Sequence, residues 1–312
     1  MSATTSRTRP RLAGAVVPVA GLGSGDRAAM FRLMLTAYHH LSRTSFEDDL
    51  DEKDEVALVW DDTGSIRAFS TILVAPVTVA GDTVRMYFSG DTIVDHRVRT
   101  ANPLLPLVLR HALITAEEPG GPLHWFLITK GHRTYRILPL LFHRFHPRPD
   151  EATPPAVAAT LEAFALARYP RRYDPGAGVI RAGQGEYRLR PEESAITESR
   201  LADPYVRFFV DRNPAHAVGD ELCCVAPLAA DNLTPAGRRL AGLDPDRIVR
   251  PEAPNRPADP AAGVRPEAPD HPAGPGCAPG STSPAGADLR SRPLPGRLLA
   301  PPASGQAATG DR

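Results

Sequence analysis

Lysine is nearly missing from this 312-residue chain: of 36 basic residues, only Lys53 and Lys130 are not arginine. With its many alanines and prolines, that scarcity points to a GC-rich bacterial coding bias and carries no function by itself. An excess of either charge is missing too, since 36 acidic residues balance the basic ones, which excludes bulk attraction to nucleic acid or an anionic membrane. No apolar run approaches the roughly 20 residues of a membrane span. Cysteine occurs only at Cys223, Cys224 and Cys277, an odd number without metal-ligand spacing. The adjacent pair lies in the apolar run ELCCVAPL, where a strand sends the two thiols to opposite faces. They read as buried thiols of a reducing, cytoplasmic compartment. Phosphate loops, dinucleotide fingerprints and zinc knuckles are absent. Ser89 lies in YFSGD, outside a nucleophile elbow, and His143 and His146 lack a matching carboxylate or cysteine, so no metal is expected.

What is present centres on Val84 to Arg110, VRMYFSGDTIVDHRVRTANPLLPLVLR. A β-branched run to Val94 feeds an arginine-bearing loop and then a helix opening at Asn102 and Pro103, a good N-cap followed by a good first helical residue. Free amides and a partial positive charge suit such a terminus to an anion. Arg97 and Arg99, just ahead of it, offer charge-assisted hydrogen bonds to a phosphate.

Upstream, LAGAVVPVAGLG reads as a first strand, and Ser24 to Leu41 as a helix with Met30, Met34, Tyr38 and Leu41 on one face. Ser45 with Asp48 suggests a second helix start, and the acid-rich 47–55 segment is either a solvated face or a site for a cationic substrate. Strands at 56–61, 66–74 and 84–94, joined by turns at Asp61–Gly64 and Gly81–Asp82, must be antiparallel, which excludes a Rossmann unit. Leu123 to Thr129 returns across a helix and therefore lies parallel to its neighbour. The following KGHRTYRILPLLFHRFHPR reads as one helix kinked at Pro139 and ended by Pro147. Its surroundings are basic, with Arg110, Lys130, Arg133, Arg136, Arg144 and Arg148, and form either a face for a polyanion or ordinary surface arginines.

Residues 149–243 form an extension with a helix from Pro155 to Tyr169, an aromatic helix after Asp203, a strand at 221–226 and a helix at 228–240. Residues 244–312 are rich in Pro, Ala, Gly and Arg and poor in large apolar residues, so a disordered tail is expected, with VRPEAP at Val249 and again at Val264.

This order of helices, antiparallel strands, arginine loop, helix, strand and helix resembles the GNAT superfamily of acyl-CoA-dependent acyltransferases over Val16 to Arg148, within a core at 14–148. The resemblance implies a mixed α/β fold: a GNAT-like, mostly antiparallel central sheet with helices on both faces. In that family a Gln/Arg-x-x-Gly-x-Gly/Ala loop cradles the pyrophosphate of coenzyme A. Here Arg97-Val98-Arg99-Thr100-Ala101-Asn102 keeps the first position, while Thr100 and Asn102 stand where glycines are expected. The family's next strand diverges to admit the pantetheine arm, and Trp125 to Thr129 is similar to it.

By this resemblance Ile93, Val94, Arg97, Arg99, Thr100, Ala101, Asn102 and Thr129 contact the donor, Asp91 is the base and Tyr135 the acid. The implied reaction moves an acyl group from a coenzyme A or acyl carrier protein thioester to an amine of a small acceptor, with no tightly bound cofactor. The alternatives are a binding or scaffold protein that keeps the fold without the donor, and an interaction protein acting through its tail.

Overall fold

The computed structural model describes residues 11–100, 103–183 and 187–243. Strand β1 (Leu12–Pro18) leads into helix α1 (Ser24–Met34), the short strand β2 (Tyr38–His39) and helix α2 (Arg43–Asp51). Strands β3 (Glu55–Asp61), β4 (Ile66–Val79) and β5 (Asp82–Val94) form an antiparallel meander. Helix α3 (Leu104–Glu117) then carries the chain back to β6 (Leu123–Thr129), which pairs parallel with β5. Helices α4 (His132–Tyr135), α5 (Ile137–Leu141) and α6 (Pro155–Arg168) follow. The rest comprises β7 (Tyr173–Asp174), β8 (Val179–Ile180), β9 (Arg188–Leu189), α7 (Pro191–Ser194), α8 (Glu198–Leu201), α9 (Pro204–Arg212), β10 (Glu221–Pro227) and α10 (Pro235–Ala241).

Eight strands make one mixed, mostly antiparallel sheet in the order β1-β3-β4-β5-β6-β10-β8-β7, while β2 and β9 pair separately. Strand residues alternate between faces, and both faces are covered, so the central strands are apolar at nearly every position. On one face Ala57, Val59, Tyr87, Trp125 and Cys224 pack with α3, α5, α9 and α10 through Leu104, Val108, Leu138, Phe209 and Ala241. On the other, Val56, Leu58 and Phe69 meet α1 and α2, while Met86, Phe126 and Cys223 meet α6. Cys223 and Cys224 are thus buried on opposite faces. No helix among the described residues is long and apolar enough to cross a membrane.

Several boundaries differ from expectation, for local reasons. Helix α1 stops at Met34, and Tyr38 and His39 leave it to pair with Leu189 and Arg188. Ser42, not Ser45, caps α2 by accepting a hydrogen bond from the Ser45 amide. Pro103 stands at the cap position of α3, which begins at Leu104; Ala101 and Asn102 lie outside the described residues, as does the tail from 244. The segment after Lys130 is two short helices, and past Leu141 it is extended: His146 exchanges backbone hydrogen bonds with Val225, held to β10. The last helix starts only at Pro235, capped by Thr234.

The basic stretch is answered by acids of the extension. Arg133 meets Glu193, Arg136 meets Asp203, Arg144 meets Asp231 and Arg148 meets Asp150. Arg133, Arg136 and Arg144 thus tie the extension to the core, Arg148 pairs locally two residues on, and these four do not stand as an open polyanion surface.

Candidate active site

Strand β5 carries one residue too many for its partner. Ser70 faces Thr92 while Ile72 faces Ser89, so Thr71 alone stands opposite Gly90 and Asp91. Such a bulge bends the strand and re-aims its side chains. Only glycine fits at its first position: a Cβ on Gly90 would lie 2.5 Å from Thr71 Oγ1 and 3.0 Å from Lys53 Cε.

Past the bulge the parallel pair parts. Pairing between β5 and β6 runs from Arg85 with Leu123 to Phe88 with Phe126 and goes no further. Beyond it β5 stays with β4 through Thr92, Ile93 and Val94, whereas β6 stays with β10 through Leu127, Ile128 and Thr129. A cavity of about 820 Å³ fills the gap, lined on one side of the sheet by Leu104, Val108, Trp125 and Leu127 and on the other by Tyr38, Asp49, Asp91 and Tyr169. Trp125 Nε1 donates to Ser89 Oγ at 2.7 Å just where the walls separate. The wedge implied by the resemblance is therefore present.

Asp91 sits half-buried on the bulge and accepts a hydrogen bond from the Tyr187 hydroxyl at 2.9 Å. Burial, then the charge of Asp49, pushes its carboxyl up to about 7, against the opposing pull of Lys53, the Tyr187 hydrogen bond and Lys130. The chain's two lysines are both buried around this group. Lys53 Nζ lies 2.8 Å from Asp49 Oδ1, and Lys130 Nζ lies 3.7 Å from Glu221 Oε1 and 4.2 Å from the centre of the Tyr187 ring. Burial also raises the phenols of Tyr38, Tyr169 and Tyr187, so all three stay protonated at neutral pH.

At the other end the loop after β5 is held by Asp95. Its carboxylate accepts from the Arg97 amide at 3.0 Å and from the Arg97 and Arg67 side chains. Although burial pushes this carboxyl upward, those hydrogen bonds and charges bring it down to about 2. Arg97 is thereby bound to Asp95 and is no part of the cavity wall, whereas Arg99 lines the cavity and pairs with Glu193 at 2.6 Å. Pro103 and Pro106 leave the start of α3 with fewer amide donors than an ordinary helix terminus.

Of the residues singled out in the sequence, Asp91, Ile93, Val94, Arg99 and Thr129 are brought together in the cavity wall. Thr100 is exposed. Tyr135 stands elsewhere: fully buried among Phe145, Phe208 and Phe209, it donates to the Pro147 carbonyl at 2.8 Å. The geometry does not bring its hydroxyl to the cavity. Tyr187 and Glu193 line the site without having been picked out by sequence reasoning, while Tyr38, read as a helix-face residue, and Arg133, read as part of a basic face, also line it. The two lysines carried a usable signal, since in a chain that otherwise uses arginine a retained lysine marks a place where a compact ammonium is wanted.

No protein-family model matches the chain, and no curated protein matches it either. Among solved structures it is similar to a probable N-acyltransferase of unknown function from Enterococcus faecalis, at 14% identity over 43% of this chain and 33% of that one, with a TM-score of 0.34. It is similar also to a GCN5-related N-acetyltransferase from Kribbella flavida, at 16% identity over 41% of this chain and 32% of that one, TM-score 0.32. A GNAT family N-acetyltransferase from Escherichia coli in complex with CoA matches at 18% identity over 39% of this chain and 66% of that one, TM-score 0.29. The chain spans about a third of the length of the first two. Among the described residues no group of three or more His, Cys, Asp or Glu could hold a metal.

Proposed function

We propose that the chain is an acyltransferase of GNAT type, moving an acyl group from a coenzyme A or acyl carrier protein thioester to the amine of a small acceptor. The observation that carries this reading is Asp91, a carboxyl near pKa 7 on a strand bulge at the head of a slot between parted strands. In this reading the donor arm lies along the slot, where strand edges can meet its amides as an added strand would. Leu104, Val108, Trp125 and Leu127 keep water from the thioester.

The acceptor nitrogen attacks the thioester carbon, Asp91 takes its proton, and the carbon–sulfur bond breaks. Magnitudes then decide what protonates the leaving sulfur. A thiol ordinarily has a pKa of about 8.5, so a carboxyl near 7 gives up its proton to the thiolate downhill. The phenols of Tyr38 and Tyr187, raised above their usual value, would do so uphill. Asp91 therefore serves as base and then acid, and Tyr187 holds it in place, which replaces the role first given to Tyr135.

A specific observation favours the second reading, a binding protein without thioester chemistry: Thr100 and Asn102 replace the loop glycines, and Pro103 and Pro106 remove amide donors. One experiment separates the two. The full chain is incubated with a panel of acyl-CoA and acyl carrier protein thioesters and amines, and free thiol is measured. Amine-dependent thiol release is expected; binding of a thioester without release in the whole panel would leave the binding-protein reading.

A further inference from the structure

Tyr187 to Ser194 form a strap over the cavity. Tyr187 reaches Asp91 at one end, β9 pairs with β2, and Arg190 anchors the middle through its amide to the Ala37 carbonyl at 2.8 Å and its guanidinium to the Leu35 carbonyl at 2.9 Å. At the far end Glu193 divides its carboxylate between two arginines: Oε1 lies 2.6 Å from Arg99 Nη2 and Oε2 lies 2.7 Å from Arg133 Nη1. Arg99 precedes α3 and Arg133 belongs to α4, so the carboxylate sits between the two elements flanking the mouth of the slot.

We propose that Glu193 is an internal stand-in for the donor's phosphate, occupying the Arg99–Arg133 pair until a phosphate displaces it. This role presupposes the thioester donor proposed above. A carboxylate giving one oxygen to each guanidinium has the charge and reach of a phosphate bridging the same pair. The three side chains are 22%, 39% and 45% exposed for Glu193, Arg99 and Arg133, so their bridges are screened and individually weak. The diphosphate of coenzyme A exceeds the single charge of Glu193 and the phosphodiester of a carrier protein equals it, and either arrives on an arm that the slot also holds, so the tethered phosphate takes the pair. The strap need not leave, because Arg190 stays anchored and only the Glu193 carboxylate swings aside. The ligand class is the phosphate end of a phosphopantetheine, shared by coenzyme A and a loaded carrier protein.

Calorimetric titration of the full chain tests this, using the parent, Glu193→Gln and Arg133→Gln against coenzyme A, holo acyl carrier protein and phosphate-free pantetheine. Glu193→Gln should bind the phosphate-bearing donor about three- to thirty-fold tighter than the parent, with pantetheine unchanged. Arg133→Gln should weaken the same donor by a similar factor. Tightening for coenzyme A or for the carrier protein tells which source the site takes, and binding seen only in Glu193→Gln also supports displacement. Equal affinity in parent and Glu193→Gln overturns the role of Glu193 and leaves the acyltransferase reading standing. Failure of every phosphate-bearing ligand to bind either protein removes both.

Discussion

The surroundings of Asp91 pull its charge in opposite directions, and both pulls are testable. Burial and Asp49 favour the neutral acid, while two lysines and Tyr187 favour the anion. As the base, Asp91 should give a rate that falls as pH drops through about 7, and Asp91→Asn should slow turnover by about 10²- to 10⁴-fold in a thiol-release assay. Because Tyr187 lowers the Asp91 pKa, Tyr187→Phe should shift that acidic limb to higher pH, with a much smaller loss at the plateau. Stability runs the other way. With a folded pKa raised to about 7 from 3.8, the group favours the fold most below 3.8, and that contribution is lost as pH rises through 7. Melting curves should therefore show Asp91→Asn gaining over the parent at pH 8 and the gain shrinking toward pH 5. Asp91 was singled out through the resemblance, as the carboxylate near the end of the central strand. Tyr187 was not, since the two are 96 residues apart and no local period links them.

Among the elements, close backbone approach overrides propensity in α10. An alanine at Gly237 should add about 1 kcal/mol of helix preference. Yet its Cβ would lie 2.5 Å from the Leu141 carbonyl oxygen, where α10 packs on α5. Pushing a backbone group aside costs about 1–3 kcal/mol, so Gly237→Ala should lower the urea midpoint instead of raising it. The long strands followed from apolar, β-branched runs between turns and α3 from its 3.6-residue spacing, and the turn at Asp61–Gly64 from its composition, with Asp61 accepting from the Thr63 and Ser65 amides. What failed was the helix expected through Arg144. That stretch has helical composition, but its backbone is claimed by a partner far along the chain, Val225, whose pairing no local pattern announces. The register of the bulge was hidden for the same reason, because it exists only as a mismatch between two strands.

For the molecule as a whole, donor binding to the native state alone should stabilise it by about 2.7 kcal/mol at a hundredfold excess over Kd. For a folded part of this size that is a rise of roughly 5 to 10 °C in melting temperature, measured with and without acyl thioester. Each wall of the slot keeps its own neighbour, β4 for one and β10 for the other, so the gap does not depend on a guest to hold it open. An incoming arm then waits for no parting of the two strands, and only the Glu193 side chain has to move. In stopped-flow mixing, the observed association rate should climb in proportion to ligand concentration without levelling off.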